Sequence, residues 1–314
     1  MSRTAKTVAG IALAVLLAEF VCRFVLGFGD PPLVELDPEI EYMLVPSRSY
    51  ERFGNVISVN AQRMRSPELV EGRPSNELRV LLIGDSVVYG NHRLDQSEII
   101  GSRLQMALQE RLACPVAVGS AAASSWGPAN QLAFVERFGL YDANVVIVVQ
   151  SSHDIADYPR SNNDYVPYRL ETPKLALTDA ALAGWTRFRS TAQQPSAALP
   201  YDVRRARSIE ALGALLGLAQ QSGANVVLAF HPTRDEALAG APADPETLAT
   251  YRSIAAQHGA AFFSFVDVRR SELHAAGASY LDQIHLSNAG ADETAHALAK
   301  LLEDLGADRC PVEL

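Results

Sequence analysis

Three observations predict an α/β fold with a parallel sheet covered by helices on both faces. Five short apolar runs read as buried strands: Leu78 to Ile83, Pro115 to Val118, Val145 to Val149, Val226 to Phe230 and Ala261 to Phe265. Segments with apolar residues at helical spacing alternate with them, at Glu98 to Leu112, Asn130 to Phe138, Ser208 to Ser222, Pro245 to His258 and Ala289 to Leu305. Gly223-Ala224-Asn225 and His258-Gly259 mark helix ends directly before strands. The chain's 314 residues suit one large domain with a preceding segment, and 48% hydrophobic with 20% charged residues is a globular composition. A net charge of -9 argues against nucleic acid as a partner. We find no internal repeat and no long low-complexity tract.

Residues 1–29 read as an N-terminal transmembrane helix. Val8 to Phe28 is apolar except for Glu19 and Arg23. As a helix, Thr7 to Phe28 would be about 33 Å long, enough to cross a bilayer core. Arg3 and Lys6 ahead of it favour a cytoplasmic amino terminus, which makes the rest of the chain extracytoplasmic, periplasmic or at the cell surface. Two charges near the bilayer centre cost about 2.5 to 3.5 kcal/mol each, against about -0.3 to -0.6 kcal/mol for each apolar residue. Glu19 and Arg23 are four apart, so they share a helix face and can neutralise each other. A competing reading is a cleaved signal peptide with its core at Val8 to Ala18 and a secreted product, although no small-x-small site follows that core. A lipoprotein is disfavoured by the bulk of Val21 before Cys22, and a buried core helix is the remaining alternative.

Residues 30–76 read as a linker and an edge hairpin. Asp30-Pro31-Pro32 opens the segment, and Phe53-Gly54 precedes the alternating pattern Asn55 to Asn60. Residues 77–314 are the expected catalytic domain. There Cys114 and Cys310 permit one disulfide in an oxidising compartment; two unpaired cysteines is the alternative. Neither has a His or Cys neighbour at ligand spacing, so no metal site is predicted, and no cofactor is expected.

Gly84-Asp85-Ser86 follows the first strand of the core, at the carboxyl end where open α/β sheets place their ligand crevice. A serine hydroxyl needs an imidazole to take its proton and a carboxylate to orient that imidazole. Asp282-Gln283-Ile284-His285 offers both, three residues apart. On its own a Gly-Asp-Ser is a common turn.

Val80 to Gly90 and Asp282 to Gly290 together resemble the first and last sequence blocks of the SGNH/GDSL hydrolases. No Gly-x-Ser-x-Gly elbow of the α/β-hydrolase type occurs. The resemblance spans roughly residues 78 to 302 and implies a three-layer sandwich with a five-stranded parallel sheet, flavodoxin-like in organisation. It implies Ser86 as nucleophile, His285 as base and Asp282 as orienter. Asn60-Ala61-Gln62-Arg63-Met64-Arg65 is similar to an Asn-x-x-Gly-x-Arg segment of membrane-anchored members, with Arg63 in place of glycine.

Acyl transfer also needs donors aimed at the developing oxyanion. The resemblance implies the Ser86 N–H, a backbone N–H from the second block and an asparagine side chain from the third. Aligning Trp126-Gly127-Pro128 puts Ser124 at the glycine position, where its N–H can serve if φ is negative; Gly119 is the fallback. In Gln150-Ser151-Ser152-His153-Asp154, His153 stands at the asparagine position, and an imidazole can donate there. Asp85, Asp154 and His231 are expected to line the crevice, Asp154 more as a loop holder than a catalyst.

Residues 156–207 form a long insertion with Tyr158, Tyr165, Tyr168 and Trp185, of the length used for lids and binding elements. Its aromatics would stack on sugar rings or fasten the loop to the core. The expectation is an exported, membrane-anchored serine ester hydrolase working through an acyl-enzyme on an acylated carbohydrate or small ester. An O-acetylated cell-envelope polysaccharide is the favoured substrate. The alternatives are an O-acetyltransferase and a catalytically weak carbohydrate-binding scaffold.

Overall fold

The computed structural model describes residues 2–159, 169–189, 199–266 and 278–310. Five strands form one parallel sheet: β5 (Leu78–Gly84), β6 (Val116–Ala122), β7 (Val145–Ser151), β8 (Asn225–His231) and β9 (Ala261–Ser264), in the order β6-β5-β7-β8-β9. All residues of β5 and β7 are buried, as a sheet covered on both faces requires. That double covering is why these strands read as unbroken apolar runs. Burying one Val, Leu or Ile side chain there contributes about 1.5–3 kcal/mol.

The crossover connections divide the helices between the faces. On one face α3 (Ile100–Gln109) packs against α9 (Asn288–Asp304); on the other lie α4 (Pro128–Phe138), α6 (Tyr201–Gln221) and α8 (Pro245–Gln257). The three-layer, five-stranded architecture implied by the SGNH resemblance is the one observed. Strand order reverses between β5 and β7, so their carboxyl ends flank the switch point where doubly wound sheets bind ligands. The short helices α2 (Ser86–Tyr89) and α7 (Arg234–Ala239) begin at that end of the sheet, as does the 3₁₀ turn Asp154–Ala156.

The amino-terminal helix α1 (Arg3–Phe20) continues through a π-helical turn, Val21–Val25. Together they make 23 residues, none of them buried in the protein, with an 18-residue stretch of mean hydropathy 2.2, long and apolar enough for a membrane span or a signal sequence. Residues 30–76 hold two hairpins where one was expected. β1 (Val34–Asp37) pairs with β2 (Glu41–Leu44), and β3 (Arg48–Arg52) with β4 (Asn55–Val59), both antiparallel and neither joined to the main sheet. The first sits on α4, where Asn130 Nδ2 donates to the Ile40 carbonyl at 2.8 Å, and Trp126 Nε1, just before that helix, donates to the Tyr42 carbonyl at 3.0 Å. Arg63 takes the left-handed conformation that glycine favours, at φ 64°, so the turn survives the substitution. Its guanidinium donates to the Leu44 carbonyl at 2.9 Å and pairs with Glu35 at 2.7 Å.

The 156–207 insertion is more regular than the sequence suggested. It contains α5 (Ala176–Arg189), and α6 starts at Tyr201 instead of Ser208. Tyr158 lies under the Arg207 guanidinium at 5.5 Å, Trp185 is exposed on α5, and Tyr165 and Tyr168 lie outside the described residues. A disulfide joins Cys114, just before β6, to Cys310 beyond α9, with their Cα atoms 5.7 Å apart.

Candidate active site

Ser86 is placed by a tight strand-to-helix turn. A Cβ on Gly84 would meet Val88 Cγ2 at 2.5 Å, so the strand can enter the turn this closely only with glycine. Asp85 caps α2 by accepting the Val87 N–H at 2.8 Å, and Gly90 closes it at φ 70°. This leaves Ser86 as the first helical residue with its hydroxyl 3.0 Å from His285 Nε2. A longer contact, 3.4 Å, runs from the same hydroxyl to Asp85 Oδ2.

His285 comes from the opposite end of the chain on the loop before α9. Asp282 Oδ1 accepts the backbone N–H groups of Ile284 and His285 at 3.0 and 2.9 Å, which folds the tetrapeptide into a single turn. The imidazole Nδ1 then lies 2.9 Å from Asp282 Oδ2. Burial alone would raise the Asp282 pKa, but the backbone N–H and side chain of His285 outweigh it and hold the carboxyl down at about 2. Arg93, which the sequence reading missed, pairs with Asp282 Oδ2 at 2.8 Å. His231, fully buried at the end of β8, bonds the Ile284 carbonyl through Nε2 at 3.1 Å. It positions the base loop from beneath instead of lining the crevice.

The residues expected as oxyanion donors stand at adjacent strand ends. Gly84 pairs with Ala122 in the β5–β6 register, so Ser86 and Ser124 stand the same two residues beyond neighbouring strand ends. Ser124 is buried, and positive φ falls on Ser125 and not on Ser124, the condition the sequence set for a donor there. Gly119 is displaced from this set. It pairs with Leu81 three residues upstream of Ala122, and a Cβ on it would touch Leu69, Leu81 and Met64. Its place is the sheet interior, where a side chain would crowd the core.

His153 stands past β7 on the other flank of β5, about half exposed. Its Nε2 lies 3.1 Å from Asp154 Oδ1 and 3.5 Å from Asp85 Oδ2. Asp154 is fully buried and accepts the Ser151 N–H at 2.6 Å. The Asp154 charge, opposed by burial and reinforced by Asp85, pushes the His153 pKa up to about 10. Burial and the Asp85 charge push the Asp154 carboxyl up, while Asp85, also buried, is held low by its contact with His153. The trio therefore keeps a proton on His153. Asp85, His153 and Asp154 also bring three ligand atoms within 4.8 Å of one another among the described residues, though a protonated His153 offers a donor there and not a metal ligand.

Arg65 supports the loop behind Ser86. Fully buried, it donates to the carbonyls of Tyr89 at 3.0 Å, Leu94 at 2.6 Å and Val56 at 3.2 Å, and to Gln96 Oε1 at 3.2 Å. Burial lowers its pKa to about 10. A depression of about 1250 Å³ lined by Leu78, Asn144 and Asn225 lies at the opposite end of the strands and contains none of these residues.

No protein-family model and no curated protein matches the chain. Solved structures similar to it include TesA, at 17% identity and TM-score 0.44, covering 72% of this chain and 99% of that one. The acetyl xylan esterase AlAXEase is 12% identical at TM-score 0.46, covering 71% and 99%. A variant of Axe2, an acetyl xylan esterase from Geobacillus stearothermophilus, is 13% identical at TM-score 0.46, covering 75% and 96%.

Proposed function

We propose that the chain is a serine ester hydrolase of the SGNH type that works through an acyl-enzyme on Ser86. The observation that carries this reading is the unbroken relay Ser86 Oγ–His285 Nε2 at 3.0 Å and His285 Nδ1–Asp282 at 2.9 Å, built by segments about two hundred residues apart. Chance turns do not align nucleophile, base and orienter in this way.

In the first step Ser86 Oγ attacks the ester carbonyl while His285 Nε2 takes its proton. Charge collects on the carbonyl oxygen, where the N–H groups of Ser86 and Ser124 and the charged imidazole of His153 can converge. Collapse of the tetrahedral intermediate breaks the ester C–O bond, and His285 returns its proton to the departing alkoxide. Water, deprotonated by His285, then attacks the acyl-enzyme, and release of the acid restores Ser86. Asp282 keeps the imidazole in the tautomer that presents Nε2 to serine and stabilises its cationic form.

The substrate reading is an acetyl ester on a carbohydrate of the cell envelope. The apolar amino-terminal helix and the Cys114–Cys310 disulfide support an extracytoplasmic domain, because disulfides persist in oxidising compartments. The test is pre-steady-state release of 4-nitrophenol from 4-nitrophenyl acetate by the full chain. A burst equal to the enzyme concentration, lost in Ser86→Ala, is expected. Turnover that survives Ser86→Ala would remove the acyl-enzyme.

A further inference from the structure

The carboxylate that orients the base also holds a guanidinium. Asp282 Oδ1 accepts the N–H groups of Ile284 and His285, and His285 Nδ1 lies 3.0 and 2.9 Å from the two carboxylate oxygens. Oδ2 also takes Arg93 Nη1 at 2.8 Å. Together these donors match the acceptor capacity of an ionised carboxylate. The Asp282 side chain is about a third exposed, so water would replace the guanidinium if Arg93 were removed.

Arg93 reaches Asp282 from a loop that is fixed on both sides. Its own N–H donates to Asn91 Oδ1 at 2.8 Å, and Asn55 Nδ2, on β4, donates to the carbonyl of the neighbouring His92 at 3.1 Å. From beneath, the buried Arg65 guanidinium holds the carbonyls of Tyr89, Asn91 and Leu94. A backbone pinned in this way keeps the Arg93 side chain within reach of its partner, which the ordinary exposed ion pair lacks. The pair also ties the loop that follows Ser86 and α2 to the loop that carries the base, 189 residues away.

We propose that Arg93 is a positioning residue for the base: acting through the Asp282 carboxylate, it keeps the His285 imidazole unprotonated, and so able to take the Ser86 proton, to lower pH than the Asp282–His285 pair would alone. The catalytic consequence rests on the serine hydrolase reading; the electrostatic link does not. The guanidinium and the imidazole share one carboxylate oxygen, so a second positive charge on the ring is opposed by the first. At that separation in a water-rich setting the opposition is worth about half a pH unit. Other ionisable groups face the base loop without sharing that oxygen. They are Asp85 and His153 beside Ser86, Asp235 on α7 opposite Gln283, the buried His231 beneath Ile284, Glu98 and Arg103 at Asn288, and His92. Burial and the Arg52 charge hold His92 down at about 4, so it is uncharged at neutral pH. All of these stay in place when Arg93 alone is changed.

The test compares the natural chain with Arg93→Gln and Arg93→Lys by two readouts. In kcat/KM for 4-nitrophenyl acetate, the acid limb should move up by about half a pH unit in Arg93→Gln and stay in place in Arg93→Lys, with KM for this neutral ester unchanged in both. In protein carrying isotopically labelled histidine, the ring signals lost in His285→Ala should titrate with the same displacement, whether or not an ester is turned over. Coincident ring titrations in Arg93→Gln and the natural chain overturn the proposal, as does an equal displacement in both variants. A raised KM with an unmoved limb also overturns it and gives Arg93 to substrate binding. Displaced ring signals with an unmoved limb sustain the link and overturn its part in catalysis. Displaced ring signals with no ester turnover by any of these proteins sustain the link but overturn the hydrolase reading.

Discussion

His153 is the residue at which this site departs from the pattern it resembles. Asp154 and Asp85 raise the pKa of its imidazole, and in the oxyanion role proposed for it a charged imidazole is a stronger donor than a neutral amide. Its removal should therefore act on the transition state: His153→Ala is expected to lower kcat about 10²–10³-fold with KM little changed. Steady-state kinetics on 4-nitrophenyl acetate check this, and an unchanged kcat would leave His153 a structural role. The sign with pH follows from a pKa raised to about 10. His153 is charged below that value, so kcat should hold through neutral pH and fall as pH rises through about 10. His153→Asn should lack that alkaline limb. The same shift adds folding stability that is full below about pH 6.5 and lost as pH rises through about 10. Asp282 works in the other direction: its depressed pKa adds stability present above about pH 3.8 and lost as pH falls through about 2.

At the scale of elements, Arg65 links the β3–β4 hairpin to the loop after α2. Its guanidinium meets carbonyls on both, so Arg65→Met would leave several buried acceptors unpaired. A loss of about 3–5 kcal/mol in unfolding free energy is expected, measured by urea denaturation. A loss below about 1 kcal/mol would mean that the loop is held by other contacts. Strands β5 to β8 of the main sheet were legible because they are almost wholly buried, which leaves an apolar run that needs no partner to be recognised, while the half-buried edge strand β9 shows as Ala261-Phe262-Phe263. Four of them continue past the apolar pattern at their carboxyl ends, into Gly84, Ala122, Ser151 and His231, and there the sequence turns small or polar at the site. The hairpins were half hidden because strands such as Arg48–Arg52 alternate charged with buried residues over too short a span. Ser86, His285 and Asp282 could be picked out by motif, whereas Arg93 carries no local signal and is placed only by folding; the position of His231 after its strand was readable, but not its burial beneath the base loop.

For the whole molecule, the long-range closures matter most. The Cys114–Cys310 bridge joins residues 196 apart in sequence and ties the carboxyl terminus to the edge strand β6. Cys114→Ala/Cys310→Ala should lower the unfolding free energy by about 2–5 kcal/mol, read by urea denaturation, with ester turnover at 25 °C retained. An unchanged unfolding midpoint would show that the packing of α9 on α3 already fixes that end. Counting cysteines could only permit this bridge; proximity was not in the pattern. The same holds for Glu19, whose pairing with Arg23 was readable four residues away while its partners on α5 lie 157 and 158 residues distant. Both closures bring remote segments to the catalytic domain without disturbing the crevice that β5, β7 and the loop before α9 enclose. The central claim, that Ser86 is the nucleophile driven by His285, is met most directly by mass spectrometry of the chain treated with a fluorophosphonate. One adduct is expected, on Ser86, formed at least about a hundredfold more slowly in His285→Ala. An adduct on another serine, or equal labelling of both proteins, would contradict it.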